Sequence, residues 1–304
     1  MSRVLRISTL IFCLGFSAAA ARGQSRLECD ALPSRILRES VHYCVLLPPS
    51  YAQKSQAGDR GQKYPVLYLL HGLGDNEQSL VNTGGWDLID NLRQQHKIGD
   101  FLIVTPRGKR TFYINSAGGG ARYSDFFLRE FMPTIEKKYR VRAGRQWRAI
   151  SGMSMGGYGA LRFAFAYPQL FSAVSAQSPA LVTEPPKKVD TALHSGSPLG
   201  AMLGDVFGRP INVAHWQQND PFALAEKNQA GIRKLAIYLN CGKDDDYGFE
   251  KGTAALHRQL DEEGIRNTFH LYPGNHSLTY FLTHLDETME FHWRAFAGAS
   301  QISK

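Results

Sequence analysis

Short apolar runs, each closing on a Gly or Pro within a few residues, recur from residue 65 to the carboxyl-terminal part of the chain. They read PVLYLLHG (65–72), FLIVTP (101–106), WRAISG (147–152), FSAVSAQSP (171–179), LAIYLNCG (235–242) and NTFHLYPG (267–274). A strand with one face in water alternates apolar and polar residues, whereas continuous apolar runs of this length suit strands covered on both faces. Between the runs lie DLIDNLRQQHKI (87–98), YSDFFLREFMPTIEKKY (123–139), GGYGALRFAFAY (156–167), FEKGTAALHRQLDEEG (249–264) and LTYFLTHLDETMEFHWRAFA (278–297), all of helical spacing. In 123–139, Ser124 reads as the helix cap and Pro133 as an internal interruption. Strands alternating with helices predict an α/β fold, a mostly parallel central sheet with helices on both faces.

Ahead of this pattern, RLECDAL and ESVHYCVLLPPSY read as two neighbouring strands, the second ended by Pro48-Pro49. Residues 182–222 interrupt the alternation with a Pro-, Gly- and polar-rich stretch holding short helical pieces at most. The stretch separates two strands of one sheet, so it reads as an insertion in a single domain spanning 22–304. It starts next to the strand that follows the Gly-x-Ser-x-Gly segment and is expected to form part of a substrate wall.

The amino terminus reads MSRVLR, then the apolar run ISTLIFCLGF, then the small-residue stretch SAAAARG. That is the layout of a secretory signal peptide over 1–21, cleaved near Ala20 or Ala21, which predicts a secreted or periplasmic protein. The apolar run is too short to span a bilayer, and no integral membrane span is expected. In an oxidising compartment Cys29 and Cys44 are expected to pair, since they sit on the two neighbouring strands. Cys241, at the end of an apolar strand, reads as a buried small hydrophobe. No Cys-x-x-Cys occurs, and Asp244-Asp245-Asp246 has no calcium-loop spacing, so no metal is expected. The formal charge of +8 is dispersed, which argues against nucleic acid as a partner. Oligomeric state is not legible.

The chemistry centres on Gly152-Met153-Ser154-Met155-Gly156, between an apolar strand and a helix. In that context the pattern makes a nucleophile elbow, with Ser154 held on a strained turn facing a helix amino terminus. A serine nucleophile needs a base, and the base needs an orienting carboxylate. Downstream, LAIYLNCGKDDDYGF ends a strand in Asp244, Asp245 and Asp246, any of which can reach the right place. Of the histidines after Ser154, His257, His284 and His292 fall in predicted helices and His270 in a strand. His194 and His215 fall in the insertion, and His276 alone follows the last strand directly, in a glycine-containing loop. Both loops sit at strand carboxyl ends, where an open α/β sheet places its ligands. The Asn275-His276-Ser277 sequon reads as accidental. An oxyanion needs two backbone N–H donors; Met155 supplies one and Leu73, in LLHGLGD, the other, with a structural role for His71.

In family order, VLLPPSY, PVLYLLHGLGD, ISGMSMGGYGALRFAFAYPQLFSAV, CGKDDDYGF and YPGNHSLTYF resemble the esterase D / antigen 85-like branch of the α/β-hydrolases. That branch includes feruloyl and acetyl-xylan esterases and S-formylglutathione hydrolases. The resemblance runs from about residue 35 to 297. It implies Ser154 as nucleophile, Asp245 as the acid of a Gly-x-x-Asp pattern with Asp246 the next choice, and His276 as base. Two features depart from the family pattern: Tyr280 stands where Trp is common, and 182–222 matches no named subfamily. The reading is an exported serine ester hydrolase that cleaves carbohydrate-linked acetyl or feruloyl esters, or short-chain acyl esters, with no cofactor. The alternatives are an antigen 85-type acyltransferase with a sugar acceptor, or a non-catalytic binding protein on the same fold.

Overall fold

The computed structural model describes residues 25–52, 61–183 and 198–302. Eight strands form one sheet: β1 (Arg26–Ser34), β2 (Glu39–Leu47), β3 (Val66–Leu70), β4 (Leu102–Pro106), β5 (Arg148–Met153), β6 (Ala173–Gln177), β7 (Ala236–Gly242) and β8 (Thr268–Tyr272). Their spatial order is β1-β2-β4-β3-β5-β6-β7-β8. β2 pairs antiparallel with both β1 and β4, and every other pairing is parallel. The α/β class expected from the alternation is therefore the observed one. Cys29 faces Cys44 across β1 and β2, and the two form a disulfide.

The continuous apolar runs have a direct cause. In β3, Val66, Tyr68 and Leu70 enter a core on one face of the sheet, while Leu67 and Leu69 enter a second core on the other. Successive strand side chains point to opposite faces, so a strand with helices on both sides has no position that faces water. Helices α1 (Gly85–Gln94) and α9 (Leu285–Ile302) cover the second face, through Ile89, Leu92, Met289 and Phe296. The first face is closed by α3 (Met155–Ala166), by α2 (Met132–Lys138) and by the turns before α2, through Phe126, Phe127, Phe131 and Phe163.

Three local expectations are corrected. Residues 123–139 form a helical turn at Tyr123–Phe126, a π-helical segment at Phe127–Phe131, and then α2, with Pro133 in the first turn of α2. The helical path runs on through Pro133, with the π-helical segment directly before it. Ser124 is no cap: it is buried inside the first turn, where its Oγ accepts from Arg162 Nη1 at 2.6 Å. The closing helix is two helices, α8 (Leu278–Thr283) and α9, divided at His284, whose ring stacks on Tyr272 at 4.1 Å.

The insertion is more helical than its composition indicates, with α4 (Pro198–Phe207), α5 (Val213–Asn219) and α6 (Pro221–Lys227), followed by α7 (Phe249–Glu262) beyond β7. Asn219 fastens it to the helix that follows Ser154. Its carbonyl accepts from Tyr158 Oη at 2.8 Å and its Oδ1 from Arg162 Nε at 2.9 Å. The expected signal peptide over 1–21, with its Ala20/Ala21 cleavage site, and His194 lie outside the described residues. Among the described residues no helix is long and apolar enough to cross a membrane.

Beneath β5 and β6, Ser151 Oγ and Ser175 Oγ lie 2.7 Å apart, and Ser175 Oγ lies 2.8 Å from His292 Nε2. His292 is fully buried, and burial pushes its imidazole down to about 3. The folded protein holds it neutral, while the unfolded chain binds a proton below 6.5. Its contribution is therefore complete above that pH and falls as pH drops toward 3, by up to about 1.4 kcal/mol per unit. Asp220 works in the opposite sense. Burial pushes its carboxyl up to about 6 against the amides of Phe222 and Ala223, so acidification between 6 and 3.8 favours the fold there. The His292 window is the wider, and thermal midpoints should fall from pH 7 to pH 4. The slope should flatten in His292→Gln and steepen in Asp220→Asn. An unchanged slope in His292→Gln would show that other groups carry the acid response.

Candidate active site

Ser154 stands between β5 and α3 with φ 53° and ψ −119°, a conformation that costs a non-glycine residue about 1–3 kcal/mol. Backbone bonds on both sides hold it: Ser154 N–H donates to Gln177 O at 2.9 Å, and its carbonyl accepts from Tyr158 and Ala180. The flanking glycines are steric requirements. A Cβ on Gly152 would sit 2.2 Å from the Gly156 carbonyl, and one on Gly156 would sit 2.1 Å from Leu70 O. The tight strand-to-helix turn therefore exists only without side chains at both positions.

The loops after β7 and β8 bring the other two sequence-derived residues to this serine. His276 Nε2 lies 2.9 Å from Ser154 Oγ, and His276 Nδ1 lies 2.7 Å from Asp245 Oδ2. A carboxylate only accepts, so Nδ1 carries the proton and Nε2 is left to accept from the serine hydroxyl. The other oxygen, Asp245 Oδ1, takes the N–H groups of Tyr247 at 3.0 Å and Phe249 at 3.4 Å. The Asp245 side chain is wholly inaccessible. Burial pushes its carboxyl up, but the hydrogen bond and charge of His276 with the two amides outweigh this and hold it below the usual carboxylate range. It stays ionised. Of its neighbours, Asp244 is exposed, and Asp246 Oδ2 accepts the backbone N–H of His276 at 3.1 Å. Asp245 is thus the aspartate that meets the imidazole.

Leu73 and Met155 are the two expected backbone donors. Met155 opens α3, so its N–H has no partner within the helix. Among the described residues, no protein acceptor is seen for Leu73 N–H either. The Leu73 loop borders the serine: a Cβ on Gly72 would lie 3.6 Å from Ser154 Cβ. His71 braces that loop from below. Its Nδ1–H donates to Gly72 O at 2.7 Å and its Nε2 accepts from Gly108 N–H at 2.8 Å. Burial lowers its pKa, against the Gly72 bond and the charges of Asp75 and Glu77, and keeps the ring neutral. Both ring nitrogens are thus taken up by backbone groups of Gly72 and Gly108. Cys241 is buried, with Sγ 3.3 Å from Ser178 Oγ and 3.6 Å from Asp245 Oδ2; burial pushes its thiol up to about 12.

Sequence reasoning missed the aromatic surround of His276. Tyr247, Phe249 and Phe281 meet the imidazole edge-on, with ring centroids at 4.9, 5.4 and 5.3 Å. The only signal was a pair of aromatic residues just past the aspartates, and Phe281, a little over one helical turn after the histidine, gave none. A groove of about 910 Å³ lies at the amino ends of β6, β7 and β8, around Ser172, Ala236 and Thr268, the sheet edge opposite Ser154.

Comparison with known proteins agrees with this architecture. The family described as "Putative esterase" matches residues 34–292, most of the chain. An esterase of Mycobacterium tuberculosis is 27% identical over 252 residues, covering 76% of this chain, and this chain spans about half (51%) of that relative's length. An acetyl esterase of Caldicellulosiruptor saccharolyticus is 26% identical over 266 residues, 85% of this chain and 94% of that protein. A solved ferulic acid esterase superposes with a TM-score of 0.75 at 29% identity, over 90% of this chain and 99% of the other. An S-formylglutathione hydrolase from Staphylococcus aureus shares the fold, with a TM-score of 0.72 at 20% identity over 89% and 99%. With its elbow between β5 and α3 and its single mostly parallel sheet, the chain belongs to this esterase family and has the α/β-hydrolase fold.

Proposed function

We propose that this chain is a serine ester hydrolase that works through an acyl-enzyme on Ser154. The observation that carries the reading is the continuous hydrogen-bonded line from Ser154 Oγ through His276 to Asp245, at 2.9 and 2.7 Å, on a strained elbow. Ser154 Oγ attacks the ester carbonyl while His276 Nε2 takes its proton. The carbonyl oxygen, now an oxyanion, accepts from the N–H groups of Leu73 and Met155, each worth about 3 kcal/mol in the transition state. The intermediate collapses as the C–O bond to the alcohol breaks and Nε2–H protonates the leaving oxygen. Water then enters, gives a proton to Nε2 and attacks the acyl carbon, and the acid leaves as Oγ regains its proton. Asp245 stays ionised throughout, keeping the imidazole in the correct tautomer and stabilising its charged form.

Similarity to a ferulic acid esterase and an acetyl esterase supports acetyl, feruloyl or short-chain acyl esters, carried on carbohydrate, as substrates. The basic-apolar-small layout of the amino terminus and the Cys29–Cys44 disulfide support export as a single domain from about residue 22. A fluorophosphonate tests the nucleophile. Intact mass should rise by one phosphonyl group, peptide mapping should place it on Ser154, and turnover of p-nitrophenyl acetate should vanish in proportion. Labelling of another residue, with turnover retained, would overturn the assignment. Product analysis in concentrated glucose separates hydrolysis from transfer, since free acid as the main product is expected of a hydrolase.

A further inference from the structure

Tyr247 is 60% exposed, more than any other large hydrophobic side chain among the described residues. Its ring is nonetheless held in place. It stacks on the buried Phe249 at 5.4 Å with 20° between planes, and it meets the His276 imidazole at 4.9 Å and 85°. Its backbone N–H is fixed on Asp245 Oδ1. Despite these two ring contacts the residue stays 60% exposed, so part of the ring is open to solvent beside the imidazole. An aromatic ring held this way binds at little entropic cost, because few torsions remain to be frozen.

The chemistry says which half of a substrate meets this ring. In the hydrolysis proposed above, on which this inference rests, His276 Nε2–H must reach the oxygen of the departing alcohol. The carbonyl oxygen is committed to the Leu73 and Met155 amides. The alcohol therefore lies against the imidazole, and of the three rings that abut it only Tyr247 is exposed and able to meet that alcohol. Its neighbours narrow the class. Asp244 and Asp246 are both exposed on the same loop. Exposed carboxylates on the loop that carries an exposed aromatic ring accept from hydroxyl groups and disfavour an anionic partner. A pyranose offers what both need, an apolar face of C–H bonds for the ring and hydroxyls at its edge for the carboxylates.

We propose that Tyr247 is a specificity-determining residue that selects esters whose alcohol is a neutral pyranose, by stacking on the sugar ring. The test uses a matched pair, a 6-O-acyl methyl glucoside and the ethyl ester of the same acid. The acid is whichever of acetate, butyrate and ferulate the wild type releases fastest. In Tyr247→Ala the ethyl ester should lose about twofold in kcat/KM, because His276 gives up one of its ring contacts. The glucoside ester should lose roughly twentyfold, the additional factor of about ten appearing in KM, the scale of one stacking contact. Tyr247→Phe keeps the ring and should stay within about threefold of wild type on both. Equal losses on the two esters in Tyr247→Ala would reduce Tyr247 to a support for His276 and overturn the proposal, as would no loss on either. Turnover that survives in Ser154→Ala, or no turnover of any ester by the wild type, would instead overturn the hydrolase reading itself.

Discussion

Ser154→Ala should fold normally and hydrolyse p-nitrophenyl acetate roughly 10⁶-fold more slowly than wild type, the scale seen when a serine nucleophile is removed from such a line of groups. The loss is large because, in the proposed mechanism, His276 and Asp245 serve an attack that no longer occurs. What remains is water reacting against a preformed oxyanion site, still about 10³-fold above solution. Alanine keeps the Cβ, so the 53° φ and its cost persist and the melting temperature should move little. Ser154→Gly is the complementary variant. It removes the steric penalty of the positive φ and should gain about 1 kcal/mol in stability while being equally inactive. Steady-state kinetics and thermal unfolding on the same preparations check both. Residual turnover above a hundredth of wild type, free of contaminating enzyme, would show that another group is the nucleophile.

Asp245→Asn should lower kcat by roughly 10³–10⁴-fold with substrate binding largely kept. An asparagine there can present its amide N–H₂ to Nδ1, which places the imidazole proton on Nε2 and leaves nothing to accept from Ser154. In the proposed mechanism the carboxylate is also the buried counter-charge for the imidazolium of each transition state. The neighbours differ in kind. Asp246→Asn keeps an oxygen for the His276 backbone N–H, and Asp244 does not touch the imidazole. Each should cost tenfold at most, about 1.4 kcal/mol. The three variants are to be compared on one ester, with circular dichroism as the folding control. An Asp246→Asn enzyme crippled while Asp245→Asn stays active would shift the assignment by one residue.

What the sequence disclosed was whatever repeats along the chain or sits at a chain landmark. Val66 to Leu70 are apolar without interruption because both faces of β3 are covered, so the class of sheet was readable from that run alone. Ser154 announces itself through glycines that no other residue can replace, and His276 through its place after the last strand. Asp245 was not separable from Asp244 and Asp246 by local pattern; it took family spacing to single it out, and the fold brings it to Nδ1. What escaped depends on pairs distant in sequence or on backbone detail. The π-helical turn at Phe127–Phe131, the division of the last helix at His284, and the hold of Arg162 on Asn219 leave no periodic trace. Phe281 against His276 is a matter of packing between α8 and the loop after β8.

The proposed triad is divided between an interior strand and an edge strand of the sheet. β5, which delivers Ser154, lies in the middle with strands on either side, whereas β8 is the last strand, paired on one side only and half open to water. Edge elements open in isolation at a lower free-energy cost than the whole molecule needs to unfold. A brief detachment of β8 carries His276 away from a serine that has not moved. Heat and denaturant should then silence the enzyme while most of its ordered structure survives, and the loss should reverse whenever the strand re-docks. Its working temperature limit should then follow the hold on one short border strand and not the melting of the core.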